Sequence, residues 1–279
     1  MRWTWAPAAV LVDQPTKIPA DSTEASPSTP SVATPTAAPS PAPSAARTGK
    51  ATAPSAPPSD TVVDGLLQLM KQATQELLIV SPYFVPGPDM KQAFASAIAR
   101  GVRVRVLTNS LASNDAPIAH AGYARHRAEL LQAGVQLYEM RSELSGLRSV
   151  FLGTGSGGAG SAGVGNSRAM LHSKLLIVDG RLLVVGSMNL DLRSQLQNTE
   201  IALLIQSRAL ATQATRQIEA ALTDAAWHVE RDAQGQLVWR APARSGLQDS
   251  TTEPDTSAPL RWLLLGVVAD VVDDVNTVL

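Results

Sequence analysis

The 279-residue chain contains no cysteine, which excludes a disulfide framework, a thiolate nucleophile and a cysteine-ligated metal site. Aromatic residues make up only 4% of it, and small residues and proline are abundant instead. The formal net charge of −1 gives the chain no overall electrostatic attraction to nucleic acid. No apolar run reaches the roughly 18 residues that a membrane-spanning helix needs, so no transmembrane helix is predicted.

The composition divides the chain into unlike segments. Residues 19–59 consist almost entirely of Pro, Ala, Ser and Thr and hold no aromatic residue. Such a segment cannot bury enough apolar surface to offset its ordering entropy, and its prolines favour extended conformations. We therefore predict a disordered linker at 19–59, which follows a short N-terminal piece (1–18) and precedes a folded domain at 60–245.

The last segment, residues 246–279, is predicted to be a C-terminal tail. Its run LRWLLLGVVADVVDDVNTVL is apolar but interrupted by aspartates, so it is amphipathic and does not qualify as a membrane span. Two interpretations stay open. The segment is either an amphipathic tail, docked or loose, or a contact with a membrane surface through the apolar residues at 262–265.

The rest of the chain alternates between strand and helix patterns. Short apolar runs such as ELLIV and VRVRVL predict buried strands, and helical spacing predicts helices between them, one of them continuous over 117–134. This alternation predicts an α/β fold, an α+β sandwich whose mixed or largely parallel sheet is flanked by helices. The glycine-rich segment at 152–166 lacks the Gly-Lys-Ser/Thr of a P-loop, so we interpret it as a flexible loop near the site rather than a phosphate cradle.

A group of polar residues interrupts the apolar stretch LHSKLLIVDGRLLVVGSMNLDLRS at 171–194. His172 and Lys174 are two residues apart, so on a strand both side chains point to the same face. An Asp-Gly turn then reverses the chain and returns Ser187 and Asn189 to the start of the hairpin. The lysine supplies charge and the other two supply directional donors, which suits a phosphate whose phosphorus the imidazole can attack.

Two carboxylates complete the predicted site. A nucleophilic imidazole needs an acceptor for its far nitrogen, and Glu200, on the next strand in the sequence, is the best candidate. Asp179 has two interpretations, because Asp-Gly is a favoured turn pair by itself and the same carboxylate also lies where it can support the site. Asp191 and Arg193 are interpreted as a local ion pair that caps the following helix.

In residue type and spacing this group resembles the HKD motif of the phospholipase D superfamily: His172-x-Lys174-x4-Asp179-x6-Gly186-Ser187-x-Asn189. The segment at 81–140 is similar to the second half of the bacterial cardiolipin synthases, above all those of the C type. The resemblance implies a single phospholipase D-like half-domain that works without a metal or a cofactor. It implies catalytic roles for His172, Lys174, Asp179 and Glu200, and phosphate binding by Lys174, Ser187 and Asn189.

The resemblance also implies a two-step transfer of a phosphatidyl group. One histidine attacks the phosphodiester and forms a phosphohistidine, a second histidine protonates the leaving alcohol, and another alcohol or water then takes the phosphatidyl group. In the cardiolipin synthases the donor is a phospholipid and the acceptor is the glycerol headgroup of another. We therefore expect a peripheral protein at the membrane surface, on the cytoplasmic face of the cell membrane.

The chain holds one copy of the motif, whereas the family's active site uses two. Its other histidines, His120, His126 and His228, have no lysine two residues further on. The second motif is therefore expected from a homodimer or from a partner chain that carries the first half. Two alternatives stay open: a catalytically inactive half that binds phospholipid or a partner, and a phosphodiesterase of the same fold that acts on nucleic acid, which the near-neutral charge disfavours.

Some further residues have both a structural and a functional interpretation. Three polar residues of the predicted helix at 117–134 are interpreted as solvated or cleft-facing, with substrate headgroup contact as the alternative: His120, His126 and Arg127. Two aromatic residues after the first strand of the domain either line the cleft or pack in the core: Tyr83 and Phe84.

Overall fold

A computed structural model describes residues 4–18, 61–142 and 170–263 of the chain. Two predicted features lie outside these ranges, the linker at 19–59 and the glycine-rich segment at 152–166. Residues 264–279 of the predicted tail also lie outside them, as do the side chains of Trp262 and Leu263.

Nine strands form one sheet within the described residues. In chain order they are Ala8–Val12 (β1), Glu76–Val80 (β2), Arg103–Asn109 (β3), Gln136–Met140 (β4), Leu175–Val178 (β5), Leu182–Gly186 (β6), Ile201–Gln206 (β7), Ala226–Arg231 (β8) and Leu237–Arg240 (β9). Across the sheet the order is β1-β7-β6-β5-β2-β3-β4-β8-β9. Of these neighbours, β2–β3 and β3–β4 pair in parallel and the others pair antiparallel. The mixed sheet is therefore confirmed, and the largely parallel alternative is wrong because the hairpins β5–β6 and β8–β9 reverse the chain.

Helices cover both faces of this sheet. In chain order they are Val62–Gln72 (α1), Pro88–Ala99 (α2), Pro117–Ala124 (α3), Arg127–Ala133 (α4), Leu192–Leu196 (α5), Arg208–Asp224 (α6) and Ala258–Leu263 (α7). On one face α1, α2 and α4 contribute Met70, Phe94 and Leu130 to the larger apolar core. On the other face α6 contributes Ala211 and Ile218 to a second core. The sheet is thus enclosed between two helical layers, which confirms the predicted α/β sandwich.

The helix predicted as continuous over 117–134 is instead two helices. The structure divides it into α3 and α4 at Arg125 and His126, and Gly134 ends α4 with a left-handed φ of 96°. Arg127, the first residue of α4, is buried, with 3% of its surface exposed.

A buried ionic cluster forms around Arg127. Its guanidinium lies 2.9 Å from the carboxylate of Glu139 and 2.5 Å from that of Glu253, and it contacts His120 Nε2 at 2.7 Å. The surface interpretation of His120 and Arg127 is therefore wrong, because two carboxylates compensate a charge that would be costly to bury alone. Only the third residue of that prediction, His126, keeps part of its side chain in solvent.

Two segments that flank the predicted domain at 60–245 pack against it. At the N-terminal end, β1 pairs with β7 over its whole length. At the C-terminal end, Ser250 forms a β-bridge with Trp239, and Glu253 then reaches the buried cluster. Burial opposes the charge of Glu253, but Arg127 and His120 outweigh it and lower the pKa of Glu253 to about 2.

We expect Arg127→Met to lower the free energy of unfolding by about 3–5 kcal/mol, because it leaves Glu139 and Glu253 buried without their cation. Urea unfolding followed by circular dichroism measures this loss. Arg216→Met, on the exposed side of α6, is the matched control and should stay within about 0.5 kcal/mol of the parent. Equal losses in the two variants would contradict this account of the cluster.

Candidate functional site

The candidate site lies at one edge of the sheet. β5 runs antiparallel to β2 with Leu175 opposite Val80, so the start of β5 lies beside the carboxyl end of β2. β6 ends at the same edge, where Gly186 lies opposite Ala202 of β7. The ends of β5 and β6 border an open depression of about 470 Å³.

Three of the predicted site residues line this depression: His172, Lys174 and Ser187. The first two precede the strand rather than lying on it as predicted, because the β5 ladder begins only at Leu175. Lys174 Nζ donates to the carbonyl oxygen of His172 at 3.0 Å, and the His172 side chain is exposed. The structure thus brings an imidazole, an ammonium and a hydroxyl to one pocket.

Lys174 supplies the positive charge of this pocket. Burial lowers the pKa of its ammonium, and the charges of Glu200, Asp191 and Asp115 act in the opposite direction. Those carboxylates favour the charged form of Lys174 and partly neutralise its field. An anion bound here would therefore depend on close contact with the ammonium and on hydrogen-bond donors, more than on a broadly positive surface.

Glu200 directly precedes β7 and is 6% exposed. Its carboxylate accepts a hydrogen bond from the Ser187 hydroxyl and lies 3.4 Å from Asn198 Nδ2. Among the residues that the structure describes, no hydrogen bond joins Glu200 to His172, so the predicted orienting contact is not formed. Asn189, two residues beyond Ser187, does not line the depression, and its buried amide oxygen has no partner in the described ranges.

Two buried polar residues that sequence reasoning missed hold the loops of the site. Ser81, just after β2, accepts the backbone N–H of Leu190 at 3.0 Å. Asn109, the last residue of β3, accepts the N–H of Leu171 at 2.9 Å, directly before His172. Both lie at the carboxyl ends of parallel strands, where open α/β sheets place their ligands, and that position is the signal that could have identified them.

Asp179 lies at the opposite end of β5 from the depression. Its carboxylate accepts hydrogen bonds from the backbone of Thr74, Gln75 and Glu76 at 2.8–3.2 Å. Burial opposes the ionised form, but these hydrogen bonds outweigh it and lower the pKa of Asp179. The structure therefore does not bring Asp179 to the pocket; the residue ties the β5–β6 turn to the start of β2.

The remaining candidates have structural contacts. Asp191 caps α5 by accepting a backbone N–H at 2.7 Å, while the predicted ion pair with Arg193 is not formed, although both residues are described. Phe84 lies in the larger apolar core, as the core interpretation had it. The Tyr83 hydroxyl donates to Asp115 at 2.6 Å, and burial together with that carboxylate raises the pKa of Tyr83 to about 12.

Comparison with known proteins identifies the family. Residues 66–222, more than half of the chain, match the family described as "Cardiolipin synthase, PLD-like domain". Cardiolipin synthase C of Escherichia coli is 34% identical over 214 residues, which cover 71% of this chain and 43% of that protein. The chain belongs to this phospholipase D-like family.

Other relatives and solved structures are more distant. An uncharacterized protein of Helicobacter pylori is 31% identical over 197 residues, which cover 70% of this chain and 36% of that protein. Phosphatidylserine synthase of Haemophilus influenzae is 16% identical with a TM-score of 0.48, over 77% of this chain and 44% of that one. Nuc from Salmonella typhimurium, a phospholipase D family member, is 19% identical with a TM-score of 0.41. This match covers 59% of this chain and 88% of Nuc. The chain spans less than half the length of the two curated relatives.

An apolar strip of the phospholipase D-like sheet is exposed beside the depression. It consists of five side chains on one face of β1, β6 and β7, each at least 38% exposed: Val10, Val12, Val185, Ile201 and Leu203. α6 packs on this face farther from the depression. Val185 belongs both to the strip and to the lining of the depression. Contiguous exposed apolar surface of this kind is typical of an interaction surface.

Neither a membrane span nor a cluster of metal-binding side chains occurs in the described part of the chain. No helix in residues 4–18, 61–142 or 170–263 is long and apolar enough to cross a bilayer. The same ranges hold no group of three or more His, Asp or Glu side chains arranged to bind a metal ion. The depression itself is lined by the imidazole of His172, the ammonium of Lys174 and the hydroxyl of Ser187, groups that can contact a phosphate diester.

We expect Asp179→Ala to lower the free energy of unfolding by about 2–3 kcal/mol, because it removes several hydrogen bonds to a charged carboxylate. Since those bonds lower the folded-state pKa, their contribution is present above the unfolded pKa of about 3.9 and is lost as the pH falls below it. The stability gap to the parent, measured by urea unfolding, should therefore shrink below about pH 4. Asp89→Ala, at an exposed carboxylate, is the control; a gap that does not change with pH would count against the assignment.

Proposed function

We propose that this chain is the second half of a phosphatidyltransferase of cardiolipin synthase type, acting on phospholipids through a phosphohistidine. The observation that carries the proposal is the convergence of His172, Lys174 and Ser187 on one pocket at the sheet edge. Together these groups can attack phosphorus and hold its oxygens. The likeness to cardiolipin synthase C of Escherichia coli supports the lipid substrate class.

In this proposal, phosphatidyl transfer takes place in two steps. First, a ring nitrogen of His172 attacks the phosphorus of a phosphatidyl donor, and the N–P bond forms as the bond to the headgroup oxygen breaks. A second histidine gives its proton to the departing oxygen. Then the hydroxyl of an acceptor phospholipid attacks phosphorus, passes its proton to that second histidine and breaks the N–P bond. Both histidines return to their starting forms. The proposed reaction uses no metal and no cofactor.

The other residues of the motif hold the phosphate in this scheme. Lys174, Ser187 and Asn189 bind the non-bridging oxygens, with the ammonium balancing their charge. In the structure the Ser187 hydroxyl donates its hydrogen bond to Glu200, and in this proposal it turns to a phosphate oxygen when the substrate binds. By the family resemblance, Glu200 then accepts the far N–H of His172 during the reaction. Asp179 stays outside the reacting groups and acts as a structural support.

The second histidine comes, in this proposal, from a second copy of the chain or from a partner that carries a first half. The apolar strip supports an interface there, because it borders the depression and exposes side chains from three strands. We place the assembled protein at the cytoplasmic face of the cell membrane as a peripheral protein, where both phospholipid substrates are accessible.

We expect His172→Asn to reduce phosphatidyl transfer by at least about 100-fold, because a carboxamide neither attacks phosphorus nor carries the proton. Transfer is measured by mass spectrometry of lipids, with vesicles that contain phosphatidylglycerol and with EDTA present. His228→Asn is the matched control, since His228 stacks on Tyr138 and does not line the pocket. Full transfer by His172→Asn would rule out the proposed nucleophile.

Two further assays of the same protein distinguish the two alternative functions from the proposed transferase. Cleavage of DNA in EDTA without lipid transfer would favour a phosphodiesterase of this fold. Binding to anionic vesicles with no turnover at any protein concentration would favour a non-catalytic half that binds phospholipid or a partner.

We expect Leu203→Lys to weaken self-association by at least about 10-fold in Kd and to lower specific activity at a fixed concentration, because it places a charge in the apolar strip. Analytical ultracentrifugation measures the mass over the concentration range used for the activity assay. Leu247→Lys is the control, at an exposed leucine outside the strip. An active parent that stays monomeric, with specific activity independent of concentration, would exclude the homodimer.

A further inference from the structure

A buried carboxylate of the N-terminal piece (1–18), that of Asp13, binds the backbone of Glu200 beside the site. Asp13, directly after β1, is 4% exposed. Its Oδ2 accepts the backbone N–H of Glu200 at 2.9 Å, and its own N–H donates to the Glu200 carbonyl oxygen at 2.9 Å. Asp13 therefore binds both backbone polar groups of Glu200, the N–H and the carbonyl oxygen.

The same carboxylate is itself firmly held. Asp13 Oδ1 accepts the N–H of Val62, the first residue of α1, at 2.6 Å, and Oδ2 accepts the Lys17 ammonium at 2.5 Å. Lys17 also donates to the carbonyl oxygen of Ser194 in α5 at 3.1 Å. A helix N-terminus and an ammonium both stabilise the ionised form, so the buried charge is compensated. Asp13 thus joins the start of α1 and the start of β7 at one point.

Glu200 connects this point to the pocket. Its carboxylate accepts a hydrogen bond from the Ser187 hydroxyl, and the next residue, Ile201, donates its N–H to Ser187 Oγ at 3.1 Å. The N–H of Ser187 in turn donates to the Ile201 carbonyl oxygen at 3.0 Å. A displacement of the Glu200 backbone would therefore move the groups that orient Ser187, which lines the depression.

We propose that Asp13 is a positioning residue for the phosphate-transfer site, setting the position of Ser187 through the backbone of Glu200 and Ile201. The inference rests on the proposed function. Asp13 does not line the depression, so its effect on the pocket is indirect, and Glu200 is the residue that connects the two. Position matters because a site works only when its groups are held within about 0.5 Å of the productive geometry.

Asp13→Asn tests this role in the full-length chain. The substitution nearly preserves shape, but it replaces one of the two carboxylate oxygens by an NH2 group, which donates and cannot accept. Either the bond from Glu200 or the bond from Val62 is therefore lost, and so is the charge that binds Lys17. We expect kcat for phosphatidyl transfer to fall by about 10- to 100-fold, and KM for the lipid to change by less than about 3-fold because Lys174 and Asn189 still bind the phosphate.

Two comparisons separate positioning from general destabilisation. Thr61→Ala removes the N-cap of the same helix, where Thr61 Oγ1 accepts the N–H of Asp64 at 3.1 Å, without touching Glu200. It should lower Tm but leave kcat unchanged. Asp13→Asn combined with Ser187→Ala should be no slower than Ser187→Ala alone, because Ser187 is the group that Asp13 positions. If Asp13→Asn does not fold, Lys17→Met replaces it, with a smaller loss of kcat expected.

The outcomes distinguish this inference from the proposed function. Equal losses of kcat in Asp13→Asn and Thr61→Ala, or multiplying losses in the double variant, overturn the positioning role and leave the transferase intact. If the parent transfers no lipid, its dissociation constant for inorganic phosphate, measured by phosphorus NMR, takes the place of kcat. Weaker phosphate binding in Asp13→Asn alone then supports positioning and counts against the transferase. No difference between the two variants, or no phosphate binding by the parent, overturns the positioning role.

Discussion

The antiparallel register of β5 against β2 decides where the chemistry of this chain lies. Pairing Leu175 with Val80 brings the carboxyl ends of β2 and β3 beside the start of β5. The buried side chains at those ends, Ser81 and Asn109, then bond to the loops that flank the β5–β6 hairpin. Buried polar groups must find partners, so the loop that carries His172 is held by the same requirement that holds the core. A slip of one residue would turn every β5 side chain to the other face.

Much of the fold could be predicted because its signals lie between near neighbours. Apolar runs and the Asp-Gly turn predicted buried strands such as β2 and β3 and the β5–β6 hairpin correctly, whereas β1 was not predicted. The errors concern contacts between distant parts of the chain. Helical periodicity cannot distinguish one long helix from two consecutive helices. The burial of Arg127 depends on Glu253, which is 126 positions away.

The site divides in the same way. The motif spacing predicted His172, Lys174 and Ser187, which share the depression. It left Asp179 ambiguous, because the backbone groups that this carboxylate binds lie more than 100 positions earlier. Asn109 has no local pattern that marks it, since its role exists only once β3 lies beside the loop before β5. The single motif of the chain is also why catalysis, unlike the fold, remains a proposal about an assembly.

The pairing of β1 with β7 affects how the chain is made. Asp13 and Glu200 are 187 positions apart, so at about 5–20 residues per second the ribosome releases them on the order of 10–40 s apart. During that interval α1, β2 and β3 can already assemble, whereas β1 cannot pair because β7 has not yet been synthesised. Contacts of such long sequence separation also form late in folding. The carboxylate that we propose positions the site is thus synthesised well before Glu200 and reaches its partner late in folding.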